Sequence, residues 1–385
     1  MTTLNIKFPC EGRCNYPLFE RIKEATSIAK NKKLCIYLYD RPDASTFRYR
    51  VYNVCQLLEN SEKFGATYFY AHEIGAVFEI LRTASLLVLC RTQWSNEYEI
   101  LITESKRLHI PVIFDCDDLV VDISKIPMVS STILADLNGM LLYASKLFLV
   151  AKQANYIFST NSYLLERITN LVHKKGYVIP NFFNNEQLEY SIRYTEQKTE
   201  NPNFTIGYFS GSPSHFNDLN VCLEEIIQFL IENKNSKLVI AGHISLHDKY
   251  AYLKDIKRIE YLPFSNYLDL QKMISNVDLN IAPLVLNEFT NCKSDLKYFE
   301  ASIVSTPTIA SPTYSFLNSI DQGINGLLCY PGEWYSAIRE LFANPEQRQL
   351  IANNAFENCL DKYEKSRLLT LVESAFSDII NDYSC

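Results

Sequence analysis

Short, fully apolar runs alternate with amphipathic stretches along most of this chain. The first run, Leu34–Tyr39, is apolar at every position rather than at every second one. A strand buried on both faces has this pattern, because helices cover both sides of a parallel sheet. Similar runs fall at Ala66–Tyr70, Leu86–Cys90, Val112–Phe114, Tyr156–Ser159 and Tyr177–Ile179. Between them, helical spacing of apolar residues predicts helices over Arg50–Leu58, Ile74–Thr83, Glu97–Arg107, Met140–Lys152 and Ser162–Leu171. A further helix is predicted near Phe19–Lys30, ahead of the first strand. Strand–helix alternation of this kind implies a parallel, doubly wound α/β sheet.

The pattern stops at Asn184–Asn203, which is rich in Asn, Glu, Gln, Thr and Lys and reads as a linker. It restarts with Phe204–Phe209, a helix over Asn217–Asn233, Leu238–Ala241, Ile259–Tyr261, a helix over Tyr267–Ile274, and Leu279–Pro283. The expected architecture is therefore two Rossmann-like doubly wound domains facing a cleft, residues 1–183 and 204–385, joined by 184–203. Three helices, Tyr335–Ala343, Pro345–Leu360 and Arg367–Ile380, are expected to pack with the second domain.

Composition narrows the function. A net charge of −7 over 385 residues gives no support to nucleic-acid binding. The 11 cysteines are odd in number and scattered, as free thiols are in a reducing cytoplasm. Cys10 and Cys14 have no paired Cys/His set nearby, so no zinc site is expected. The most apolar long stretch, Met140–Phe158, contains Lys146 and Lys152 and does not read as a membrane span. No apolar core of a signal peptide is visible at the N-terminus.

Three clusters could carry chemistry. In Asn291–Ala301, read as helical in its second half, Lys293, Lys297 and Glu300 fall on one face. With Ser294, they suit a nucleotide diphosphate: cations for phosphate, a carboxylate for ribose hydroxyls. The competing reading is a solvated amphipathic helix. The strand holding Gly207 runs into the small-residue turn Ser210-Gly211-Ser212, followed by His215. Such a turn lets the backbone approach a phosphate, although Gly-Ser turns are common. Asp115, Asp117 and Asp118 crowd the end of an apolar strand, where doubly wound folds bind ligands. They could orient a hydroxyl, act as a base, hold a metal, or simply cap a solvated turn. Arg48, close to a helix start that Ser45 or Thr46 could cap, opposes the helix dipole unless it faces a phosphate.

The order of Val277–Leu284, the Lys293–Glu300 segment, Pro307–Ser311 and Ile324–Cys329 resembles the C-terminal domain of retaining glycosyltransferases of the GT-B fold, the large family four. The resemblance implies a nucleotide-sugar donor in the second domain, a glycan or lipid-linked acceptor in the first, and no metal or cofactor for the chemistry. It implies a role in making cell-surface polysaccharide or glycoconjugate, in the cytoplasm or at the inner face of a membrane. Glu300 matches the ribose-binding glutamate; an earlier glutamate of the family is replaced here by Cys292. Asp117 falls roughly where many members have an active-site histidine, and Arg48 lies in a loop that approaches donor phosphates. The last helix is expected to cross back to the first domain. A nucleotide-sugar epimerase of the same architecture, or a non-catalytic nucleotide-binding module, are the alternatives.

Overall fold

The computed structural model describes residues 17–384, apart from 41–44, 199–201, 212–215, 245, 247–249, 251–252 and 254–255. Its first sheet is built from β1 (Lys33–Tyr39), β2 (Phe64–Tyr70), β3 (Ala84–Cys90), β4 (Val112–Cys116), β5 (Tyr156–Ser159) and β6 (Lys175–Val178). The second is built from β7 (Phe204–Ser210), β8 (Ser236–Gly242), β9 (Ile259–Leu262), β10 (Leu279–Ala282), β11 (Thr308–Ala310) and β12 (Leu327–Leu328). Their strand orders are β2-β1-β3-β4-β5-β6 and β12-β11-β10-β7-β8-β9, and every pairing is parallel.

The unbroken apolar run of β1 feeds two separate cores. Cys35, Tyr37 and Tyr39 face one, and Leu34, Ile36 and Leu38 face the other, as the two-residue period of a strand requires. Around the first sheet lie α1 (Leu18–Asn31), α2 (Asn53–Leu58), α3 (Asn96–Arg107), α4 (Leu137–Gln153) and α5 (Ser162–Val172). Helix α2 is entered through a five-residue π-helical turn, Arg48–Tyr52, not the regular start expected at Arg50. Asp136 and Asn161 cap α4 and α5, accepting from the backbone N–H of Gly139 and Leu164.

The polar segment after β6 is not a loose tether. It forms helix α6 (Asn185–Glu196), capped by Asn184. This helix packs on α8 (Tyr267–Ser275) of the second sheet, where Ser191 donates to Gln271 across 2.9 Å. The long helix expected over Asn217–Asn233 is broken: a short helix, Phe216–Asn220, precedes α7 (Leu223–Glu232). Later in the chain come α9 (Leu296–Ser302), α10 (Trp334–Ala343), α11 (Pro345–Lys362) and α12 (Lys365–Ser384).

Helix α12 lies on the first sheet. Phe376 packs between Phe64 and Phe158, Ser61 donates to Glu373 across 2.6 Å, and Tyr156 donates to Asp382 across 2.8 Å. The chain therefore passes between the sheets twice, after β6 and after α11. Both passages meet one aromatic cluster: Phe183 from the first, Tyr363 from the second, and Phe299 of α9, with ring centroids 5.2–6.1 Å apart. No helix among the described residues is long and apolar enough to cross a membrane.

Candidate functional site

Each sheet reverses its winding at its first strand. From β1 the chain goes to β2 on one side and then to β3 on the other; from β7 it goes to β8 and β9, then to β10. The carboxyl ends at these reversals are where doubly wound sheets bind ligands. Here they face each other across a cleft of about 400 Å³ lined by both domains.

The first-domain wall is an ion-pair cluster. Arg91 follows β3 directly, with φ at 45°, a left-handed backbone that a bulky residue seldom adopts. Its NH1 donates to Asp117 across 3.0 Å and reaches Asp118 at 3.4 Å, and its Nε donates to the Tyr143 hydroxyl across 3.2 Å. Thr46 does not cap a helix with its hydroxyl; it donates to the other Asp117 oxygen across 2.8 Å. Burial alone would push the Asp117 carboxyl up, but the Arg91 charge and the Thr46 hydroxyl outweigh it and hold it below the usual range.

The three aspartates do not form one cluster. Asp115 is still within β4, points away from the cleft, and takes the buried Arg50 guanidinium at 2.8 and 3.0 Å. Asp118 faces Arg91 and the Lys293 ammonium, 3.6 Å away. Each carboxylate is matched to a cation rather than turned with the others toward a common centre, and no metal-holding group of His, Cys, Asp and Glu occurs among the described residues. Arg48 lines the cleft with its guanidinium 4.0 Å from the Tyr267 ring centroid, a contact between domains.

The second-domain wall comes from the Lys293–Glu300 segment. Helix α9 begins at Leu296, so Lys293 and Ser294 sit in the preceding turn and not on the helix; all four residues nonetheless line the cleft. The Lys297 ammonium donates to the Phe209 carbonyl at the end of β7. Burial lowers its pKa to about 8. Glu300 is 6% exposed, and burial raises its carboxyl despite a hydrogen bond from Tyr49. Cys292 is fully buried against Phe289 in the first sheet's core, so this position contributes packing.

Ser210 and Gly211 line the cleft, and a Cβ at Gly211 would meet nothing within 4 Å. Gly207 does not: it lies mid-strand in β7, where a Cβ would press on the Phe209 ring at 2.6 Å. Its place is explained by that close side-chain approach, not by a ligand. Ser212 and His215 lie outside the described residues.

Polar contacts hold the two walls together. Asn161 donates to the Cys292 carbonyl across 3.0 Å, Asn181 donates to Ser294 across 3.0 Å, and Glu288 accepts from Lys125 and Arg167 at 2.6 and 2.8 Å. Reasoning from sequence missed Tyr49 and Tyr267 as parts of the site. Arg91, immediately after a buried strand, carried a readable signal; the tyrosines, among many aromatic residues, did not.

Residues 204–344 match the family model described as glycosyl transferases group 1. Comparison with curated protein sequences gave no match. Among solved structures, the chain is similar to HepE of Anabaena in complex with UDP and glucose: TM-score 0.61, 14% identity, 89% of this chain and 99% of that one covered. It is similar to sucrose-phosphate synthase of Thermosynechococcus elongatus: TM-score 0.64, 11% identity, 91% and 100% covered. It is also similar to a glycosyltransferase of Rickettsia africae: TM-score 0.57, 14% identity, 91% and 99% covered. At these identities the likeness establishes the fold, the two-domain GT-B architecture.

Proposed function

We propose that this chain, which carries a glycosyltransferase group 1 domain over residues 204–344, transfers a sugar from a nucleotide-sugar donor to a hydroxyl of a glycan or lipid-linked acceptor. The observation that carries the reading is the second-domain wall: two lysines and a buried glutamate on one side of a cleft between sheet ends, with Ser210 and Gly211 beside them. That set complements a diphosphate and a ribose together. The acceptor then approaches from the side of Asp117 and Arg91.

Three carboxylates line the described cleft, Asp117, Asp118 and Glu300, and each already takes a donor or cation from Thr46, Arg91, Lys293 or Tyr49. This favours transfer without a glycosyl-enzyme intermediate. In the proposed step the acceptor oxygen bonds to the anomeric carbon on the face that the diphosphate leaves. The anomeric C–O bond breaks, and the departing diphosphate oxygen takes the acceptor proton, so configuration is retained. The protein stabilises diphosphate charge and aligns the reactants.

A thermal-shift screen over nucleoside diphosphates and nucleotide sugars, UDP-sugars first, tests the donor class, since a ligand of the folded state raises Tm. With the diphosphate so found, Glu300→Ala is expected to lose about 1.5–3 kcal/mol of affinity, as for a hydrogen bond to a charged group. Lys293→Ala is expected to weaken the diphosphate more than the parent nucleoside. Unchanged calorimetric affinity in both folded variants would remove the segment from nucleotide binding and leave it a structural wall of the cleft.

Lys297 adds a pH signature. With a pKa of about 8, its ammonium is mostly present at pH 7 and mostly lost by pH 9. Diphosphate affinity is expected to fall about tenfold over that range, as the protonated fraction does, while nucleoside affinity stays level. Stability moves the other way. The unfolded lysine keeps its proton to higher pH than the folded one, so above about 8 this group makes the fold relatively more stable as pH rises. A flat diphosphate affinity from pH 7 to 9 would show that no group titrating near pH 8 holds the phosphate.

A further inference from the structure

Tyr49 brings three parts of the chain to one point. Its side chain is 2% exposed, and its hydroxyl donates to Glu300 Oε1 across 2.7 Å. Gln187, on helix α6 between the domains, donates its Nε2–H to the same phenol oxygen across 3.3 Å. The Tyr49 ring meets Phe299 edge-on at 5.8 Å. A first-domain side chain, steadied by the helix that joins the domains, thus occupies one oxygen of a carboxylate that belongs to the second.

We infer that Tyr49 is the positioning residue for Glu300, fixing the carboxylate so that its second oxygen reads a ribose hydroxyl only while the two domains are together. The inference rests on the nucleotide-binding reading above. An unheld glutamate samples several side-chain rotamers, and choosing one on binding costs entropy. The hydrogen bond from Tyr49 makes that choice in advance. Burial and the adjacent carboxylate keep the phenol protonated, so it remains a donor at working pH. The contact also makes ribose recognition depend on domain position, because only one of its partners moves with the second sheet.

The test is Tyr49→Phe, which keeps the ring and removes the hydroxyl, measured by calorimetry. The probes are UDP, GDP and ADP, each with its 2′,3′-dideoxy counterpart. The wild-type protein should prefer one ribose form, and the variant should lose about tenfold of that preference, the worth of one hydrogen bond to a charged group. A second readout separates positioning from mere packing. Burial raises the Glu300 carboxyl, while the Tyr49 hydrogen bond and the charges of Lys297 and Arg48, the latter over the Tyr267 ring, lower it. Without the hydroxyl, binding should begin to fail on acidification at a higher pH than in wild type. A variant with wild-type Tm, full ribose preference and an unmoved acid limb overturns the inference and leaves the nucleotide reading standing. A wild-type protein that binds none of the probes overturns both. Should Tyr49→Phe lower Tm, Gln187→Leu, which frees the phenol from its second partner, is expected to give a smaller loss in the same direction, and no loss counts against the inference.

Discussion

Asp115→Ala is expected to destabilise the fold by about 3–5 kcal/mol, the usual consequence of leaving a buried charge without its partner. Arg50 is 0% exposed and Asp115 1%. The guanidinium spends Nε and NH2 on Asp115 and NH1 on the Ile179 carbonyl and Asn181. It therefore joins the π-helical turn, the end of β4 and the point where the chain leaves the first sheet. Removing the carboxylate strands the cation in a dry interior, whereas removing both charges does not. Urea unfolding should show a large fall in midpoint for Asp115→Ala, and a much smaller one for Asp115→Leu combined with Arg50→Met. A single variant within about 1 kcal/mol of wild type would contradict this account, since typical domains have only about 5–15 kcal/mol in total.

Asp117→Asn is expected to reduce sugar transfer by about 10²-fold, a size that small misplacements of reacting groups reach, while nucleotide affinity changes little. Both Asp117 oxygens are in use, one by Arg91 and one by Thr46. A carboxylate held below its usual pKa stays charged into acid and is a weak base near neutrality, so its work is to hold Arg91 and the acceptor edge in place. An asparagine can accept from only one of the two donors and leaves Arg91 without its nearer counter-charge. The residues proposed to hold the donor, Lys293, Lys297 and Glu300, lie on the opposite wall and are unchanged. Transfer and calorimetry run in parallel decide the matter, and near-normal transfer by the variant would remove Asp117 from the site. If Asp117 were the base, the acid limb of the rate profile would lie below the ordinary carboxylate range and vanish in the variant. On the positioning account both proteins share one limb. Chelator is expected to change neither measurement.

Much of the fold was legible because strands covered on both faces announce themselves as apolar runs; β1 and β7 are the clearest cases. The Lys293–Glu300 segment was legible in part. Its four residues do line the cleft, yet two precede the helix because Asp295 turns into the interior to meet Lys362, Tyr363 and Ser319. Partners 67, 68 and 24 positions away leave no local trace. The helix within the linker was not legible because polar composition hides it: its few buried residues, Gln187 and Ser191, are themselves polar. Asp115 looked like its neighbours until β4 was seen to extend through it. Tyr49 was invisible for a related reason: its partner Glu300 lies 251 positions on.

The aromatic cluster of Phe183, Phe299 and Tyr363 has a mechanical consequence. A body attached at one point turns freely about three axes; attached at two, it turns about the line through them. The two passages of the chain meet at these rings, so a relative rotation of the sheets would have its axis near them. Displacement grows in proportion to distance from that axis. Glu300, next to Phe299, is close to it, so a small swing already opens the more distant mouth, whereas only a larger one parts Glu300 from Tyr49.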